Sequence, residues 1–469
     1  MADDRMLLKE EINENTWAMV ARRDLAFMRQ AIYSAHPAVL DKSDADFHAW
    51  LDDGYTQAQL LATAASNEQH AIAAVRFYAV GFMDGHLVVG PNPGRLGKSS
   101  WAGWIMQQRD GDFIVSERAS HWPVAVPPLG AKILECDGLP VSKIVQEHIL
   151  PFADRRISLL QVRRKLAAHV TVEVPFEPLW TIQRTQSCLA EMSDGQQESF
   201  AMLWREGDEG LRRAFAISRH PQCLHEMGDG AYWINVSDFQ LDQSGLAELE
   251  HLLEKLRRLD TAKLIVLDTR GNNGGNSAIG DRILRALLKQ SMPPEPDEVS
   301  ASWRVSDIAI GALQAHVDRL RSLEGQAGPD FNSVRNLLAK MHEADALGLS
   351  WVKDEYTGAV SERGLPFKGR IGLVTDSHCA SACLDFADAV LRIPGALHFG
   401  EPTSADTNYL DVTQLRLPSG LIMWLPLKVY RGRIRRSNEA LVPHFVYSGD
   451  MGDTDRLQRW VLNIMRSKT

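Results

Sequence analysis

Gly369-Arg-Ile-Gly-Leu-Val-Thr-Asp376, followed at once by Ser377-His-Cys-Ala-Ser-Ala-Cys-Leu384 and Asp385-Phe-Ala-Asp-Ala-Val-Leu391, is the stretch whose reading decides the fold. Residues 371–375 form a near-continuous apolar run, as expected of a strand covered on both faces. A tight polar turn follows, and helical periodicity begins just after Ser381. A hydroxyl at such a handover stands beside the unpaired N–H groups and positive end of the helix, where an alkoxide or oxyanion is stabilised. The simpler reading is that Ser381 only caps the helix. The rest of the chain has to decide between the two.

Working outward, Ala231-Tyr-Trp-Ile-Asn-Val236 predicts a strand and residues 245–258 a helix bearing Leu246, Leu249, Leu252, Leu253 and Leu256. Lys263-Leu-Ile-Val-Leu-Asp-Thr-Arg-Gly-Asn-Asn-Gly-Gly275 predicts a buried strand and a glycine loop, and residues 281–288 a further helix. Strand, helix, strand, loop, helix describes an α/β layer. Residues 291–364 interrupt it with a proline-rich entry and a helical body at 308–323 and 334–344, read as an inserted lid or arm.

Before this layer, residues 1–90 read as helices, with apolar spacing through Trp17, Val20, Leu25, Met28 and Ile32 and again through Leu60, Ala64, Ile72, Val75 and Tyr78. They end at Gly81-Phe-Met-Asp-Gly-His86, a glycine-punctuated turn from which a short strand leaves. From about 100 to 172 the texture changes to short β runs. In Gly130-Ala-Lys-Ile-Leu-Glu-Cys-Asp-Gly-Leu-Pro-Val141, Asp137-Gly138 serves a two-residue turn. Residues 173–235 alternate apolar and polar as a β-rich connector, and 451–469 are expected to form a closing helix.

At 469 residues the chain has room for about three domains or subdomains. Its formal net charge of −9 argues against a nucleic-acid partner, despite the local cluster Arg431-Gly-Arg-Ile-Arg-Arg436. The five cysteines (Cys136, Cys188, Cys223, Cys379, Cys383) are too few for a disulfide scaffold and include no Cys-x-x-Cys pair. Cys379 and Cys383 are read as compact buried residues, with a bridge between them left open. No apolar run reaches the roughly 20 residues of a membrane span, and no signal sequence opens the chain. A cytoplasmic protein is expected, a periplasmic or secreted mature form being the alternative. Asn92-Pro-Gly-Arg-Leu-Gly-Lys-Ser99 lacks the first glycine of a phosphate loop. Ser381 is not in a G-x-S-x-G elbow.

Three separated pieces resemble one family. Leu267-Asp-Thr-Arg-Gly-Asn-Asn-Gly-Gly275 resembles the L-D-x-R-G-N-x-G-G signature of the C-terminal processing (tail-specific) serine peptidases. Ala380-Ser-Ala-Cys-Leu384 resembles their nucleophile segment, commonly S-A-x-E, with Leu384 in place of the glutamate. Gly400-Glu-Pro-Thr403 resembles a loop of the tricorn-core-like and retinoid-binding-protein-like branches. Residues 130–141 resemble the G-D-x-I-L-x-x-N-G-x-x-V segment of a PDZ domain. The resemblance implies a crotonase/ClpP-like α/β core (173–290 and 365–450), a PDZ-like domain (100–172) and a helical N-terminal region. It implies peptide hydrolysis without a cofactor, on a polypeptide substrate, with homo-oligomerisation left open.

The family uses a Ser–Lys dyad or a Ser–His–Glu triad. The dyad's T-x-G-K is absent after Thr403, and Lys428 lies too far along to match it. Phe82-Met-Asp-Gly-His86 resembles the family's D-G-H turn before the PDZ-like segment, so the triad is expected, with Ser381 as nucleophile, His86 as base and Glu439, 58 residues beyond Ser381, as orienting carboxylate. An imidazole, with its ordinary pKa near 6.5, suits the base role at neutral pH. The competing readings are His378, His398 or His444 as base, Glu401 as orienter, and Cys379 or Cys383 as nucleophile. The pattern implies an oxyanion hole from the N–H groups of Gly274 or Gly275 and Ala382. A catalytically silent peptide or apolar-ligand binder on the same fold is the alternative function.

Overall fold

The computed structural model describes residues 15–42, 44–91, 98–175, 177–180, 184–215, 217, 221–259, 261–289, 291–296, 298–324, 329–354 and 367–467. The first 14 residues, most of the 92–99 stretch, the end of the 291–364 segment and the last two residues of the chain lie outside them.

The apolar runs build one six-stranded sheet. Its order is Leu224–Glu226, Ala231–Asn235, Leu264–Asp268, Arg370–Thr375, Leu397–Gly400 and Phe445–Val446, parallel from the second strand onward. Strand alternation sends side chains to both faces. Ile265, Leu267, Ile371 and Leu373 pack against the helices Gln243–Leu256, Ser277–Leu287 and Ala382–Leu391. Leu264, Val266 and Val374 meet Leu457, Val461 and Met465 of the closing helix Thr454–Ser467 on the other face. Helix starts are set by local chemistry: Asp242 accepts from Gly245 N–H and Asn276 from Ala278 N–H.

The β-rich unit is an antiparallel sheet of Trp104–Arg109, Asp112–Arg118, Lys132–Cys136, Ser187–Glu191 and Gln197–Ala201, with Leu139–Pro140 as a short sixth strand. The expected turn is there, with Asp137 at φ 50° and Gly138 at φ 75° between paired strands. The strands at 187–201 pair with residues 132–136, so this unit extends past 172 into the expected connector.

Two further expectations change. The second helical pattern is two helices, Ala45–Thr63 and Glu68–Val80, because Asn67 accepts from His70 N–H and starts the second afresh. The 291–364 segment is not purely helical. Ser300–Arg304 and Trp351–Asp354 flank the helices Asp307–Glu324 and Pro329–Ala346, and Ser300–Arg304 pairs with Ile422–Arg431. Val88–Gly90 pairs with the other end of that long strand. The helices of the segment share one apolar core with the N-terminal helices, including Leu25, Met28, Leu313, Val317 and Met341. Strand pairing of this kind joins residues more than a hundred apart, which local periodicity does not encode.

Candidate active site

Ser381 precedes the helix Ala382–Leu391 with φ 55° and ψ −124°, a conformation that L-residues rarely adopt. Its side chain makes no capping bond. Instead Oγ lies 3.1 Å from His86 Nε2, across 295 residues of sequence. The cap reading therefore fails on geometry: the hydroxyl is turned out of the helix toward an imidazole.

The glycine loop lies against this turn. A Cβ on Gly274, at φ 93°, would fall 2.6 Å from Ala380 O and 2.8 Å from Ser381 Cβ, so only glycine fits. Asp376, at the end of the central strand, accepts from Gly271 N–H at 2.9 Å and ties loop to turn. Gly274 N–H donates to Asn272 Oδ1 at 2.9 Å, so of the expected oxyanion donors this one is already engaged. Ala382 N–H belongs to the first helical turn, where no intrahelical acceptor exists.

The bridge between Cys379 and Cys383 that the sequence left open is formed. Cys379 and Cys383 are joined, closing a five-residue loop around Ser381, and Cys136 is joined to Cys188 across neighbouring strands. Neither Cys379 nor Cys383 offers a nucleophile in that state. Cys223 is the free cysteine among the described residues.

His86 is brought in by a turn that several remote groups brace. Asp84 accepts from His86 N–H at 2.7 Å and from the Thr407 hydroxyl at 2.9 Å, and Asn438 Nδ2 donates to Met83 O at 2.8 Å. Glu439, one residue past Asn438, does not complete the pair. Its exposed carboxylate accepts from Arg436 N–H at 2.8 Å, and His86 Nδ1 is buried without a hydrogen bond.

The competing bases are engaged elsewhere. His378 Nδ1 lies 3.2 Å from Asp376; burial pulls its pKa down, but Asp376 outweighs burial and holds it above the usual imidazole range. Burial pushes His398 down to about 3, with Nε2 2.8 Å from Thr375 Oγ1. His444 Nδ1 accepts from His398 N–H. Glu401 is gripped by Arg164, with contacts of 2.6 and 2.9 Å; the same guanidinium reaches Ser377 Oγ at 3.2 Å. Arg164 comes from the helix Leu160–Ala168 of the β-rich unit and was missed in the sequence, having no motif of its own. Asp84 and Thr407 were also missed, although Asp84 stands in the quoted D-G-H turn.

Residues 231–445 match the model of peptidase family S41. No curated protein matches the chain in sequence. Among solved structures, mature CPAF complexed with lactacystin is similar at 13% identity and TM-score 0.64, covering 96% of this chain and 99% of its own. Mature CPAF alone is similar at 14% identity and TM-score 0.64, covering 96% and 98%. The photosystem II D1 C-terminal processing protease is similar at 12% identity and TM-score 0.40, covering 91% and 93%.

Proposed function

We propose, from the premise that this chain belongs through residues 231–445 to peptidase family S41 and is a serine peptidase, that it is an endopeptidase working through Ser381 and His86. The observation that carries the reading is the 3.1 Å approach of Ser381 Oγ to His86 Nε2. The Ser381 hydroxyl donates to Nε2. As Oγ attacks the peptide carbonyl, Nε2 takes its proton and then delivers it to the departing amine. Water repeats the sequence on the acyl-enzyme and releases the acid. The carbonyl oxygen, now negative, is received by Ala382 N–H at the positive end of its helix and by the glycine loop through Gly275. The strained backbone of Ser381 holds Oγ clear of its own helix, which suits a nucleophile.

A Ser381→Ala variant tests this on casein or a tail peptide. Turnover is expected to fall by at least about a thousandfold with the fold unchanged. Hydrolysis at the wild-type rate would remove Ser381 from the mechanism. A silent binder has no need of a hydroxyl within reach of a neighbouring imidazole, and no feature of the site favours it.

The two disulfides favour an oxidising compartment over the cytoplasm, where thiols are kept reduced. Native protein that alkylates at all five cysteines would contradict this. Among the described residues no helix is long and apolar enough to cross a membrane.

A further inference from the structure

A general base must be held in one tautomer and its positive charge balanced. His86 meets Ser381 with Nε2, so both tasks fall on the surroundings of Nδ1. That atom is buried and has no hydrogen-bond partner. Glu439 faces Arg436 N–H and Glu401 is gripped by Arg164. The carboxylate left beside the imidazole is Asp84, whose Oδ1 lies 3.8 Å from Nδ1. We propose that Asp84, not Glu439, is the carboxylate that positions His86 and balances its charge; this rests on the Ser381–His86 reading.

Asp84 is built for that task. It is 7% exposed, and both oxygens are fixed, Oδ1 by His86 N–H at 2.7 Å and Oδ2 by Thr407 Oγ1 at 2.9 Å. The first bond sets the backbone of the residue whose ring must be aimed. Burial works to raise the pKa of Asp84, but His36 and His86 outweigh it and hold the carboxyl below its usual range. It is therefore an anion at neutral pH.

Other titratable groups surround that charge. His36 Nε2 is 3.9 Å away, but complete burial pushes His36 below the usual imidazole range and keeps it neutral at pH 7. Arg156 is close enough that a Cβ on Gly85 would fall 2.6 Å from its Nη1. Its Nε and Nη2 nevertheless bind Asp154 at 3.0 and 2.8 Å, and Nη1 binds Ala405 O at 3.1 Å. Tyr409 is a phenol that burial keeps protonated. Asp406, from the neighbouring loop, is engaged by Arg435 and lies 3.8 Å from Arg433. Arg156 feels the charge of Asp84 but is hydrogen-bonded to other groups, so the protonated ring of His86 is the cation free to titrate beside it. At 3.8 Å the contact exceeds hydrogen-bond length, so its effect on the protonated ring is electrostatic.

The test is the pH dependence of kcat and kcat/KM for Asp84→Asn, which keeps the shape of the side chain and removes its charge. Loss of the anion makes the imidazolium easier to deprotonate, so the acid limb should move to lower pH. kcat should fall roughly a hundredfold with KM little changed. A folded Asp84→Asn enzyme with wild-type kcat and an unmoved limb overturns the proposal. Glu439→Gln, at an exposed position, is expected to keep the wild-type limb. If it displaces the limb, Glu439 supplies the charge and the proposal falls, even where Asp84→Asn does not fold. Activity surviving in Ser381→Ala would strike the underlying mechanism, whereas an Asp84→Asn enzyme with wild-type kcat and acid limb beside a dead Ser381→Ala strikes this inference alone.

Discussion

Lys428 and His86 are basic side chains set in two different regions, and the contrast between them shows what makes a nitrogen into a base. Lys428, on the long strand Ile422–Arg431, is 7% exposed and lies 3.0 Å from Asp354 and 2.5 Å from Asp411. It also stands over the rings of Trp303 and Tyr430, at 5.3 and 4.8 Å. Burial alone would lower its pKa, but Asp411, Tyr430 and Asp354 outweigh burial and hold it well above the usual lysine value. It stays an ammonium, with no lone pair to offer. His86 sits at the opposite extreme, with Nε2 directed at a hydroxyl and Nδ1 free of any hydrogen bond. Full satisfaction makes Lys428 a structural cation; incomplete satisfaction leaves His86 able to change its charge.

The comparison breaks if the two residues exchange roles on substitution. The largest effect on turnover belongs to His86→Ala, a loss of at least about a thousandfold with little change in stability, since the side chain is only partly buried. Turnover near wild type, measured on a peptide substrate, would show that another group takes the proton. Lys428→Met should leave activity per folded molecule intact but lower unfolding free energy by about 3 kcal/mol, because Asp354 and Asp411 lose their buried partner. Equilibrium urea unfolding beside active-site titration separates the two effects. If Lys428→Met silences a folded enzyme, the lysine acts in the chemistry and the contrast is void.

The same pair carries a smaller, pH-dependent effect. Because the folded pKa of Lys428 is raised, its ion-pairing stabilises the protein fully below the unfolded lysine pKa, near 10.4, and is lost as pH rises toward the folded value. Stability should therefore decline at alkaline pH more steeply in wild type than in Lys428→Met. Parallel alkaline profiles would mean that the lysine is not held as charged as its neighbours imply.

Much of the core was legible because its signals are local. The apolar runs 264–268 and 371–375 and the glycine loop between strand and helix can be read without knowing what they touch. The Ser381–His86 pair was reachable through the resemblance of two short motifs, although 295 residues separate them. Relations that depend on distant partners were not legible. Cys136 and Cys188, 52 residues apart, are joined because paired strands set them side by side. The strands at 300–304 and 351–354 look like parts of a helical arm until the long strand at 422–431 supplies their edge. Glu439 stands at the expected spacing, yet the direction of its carboxylate is decided by Arg436 N–H, a contact that spacing does not specify.

The central claim is that Ser381 is made nucleophilic by His86. It is tested most directly by the rate at which a fluorophosphonate labels the protein, with the modified residue located by mass spectrometry. One adduct is expected, on Ser381, forming at a rate that rises with pH as the imidazole loses its proton. That rate should fall by at least about a thousandfold in folded His86→Ala. Labelling at another residue, or of Ser381 at the same rate in the absence of His86, would contradict it.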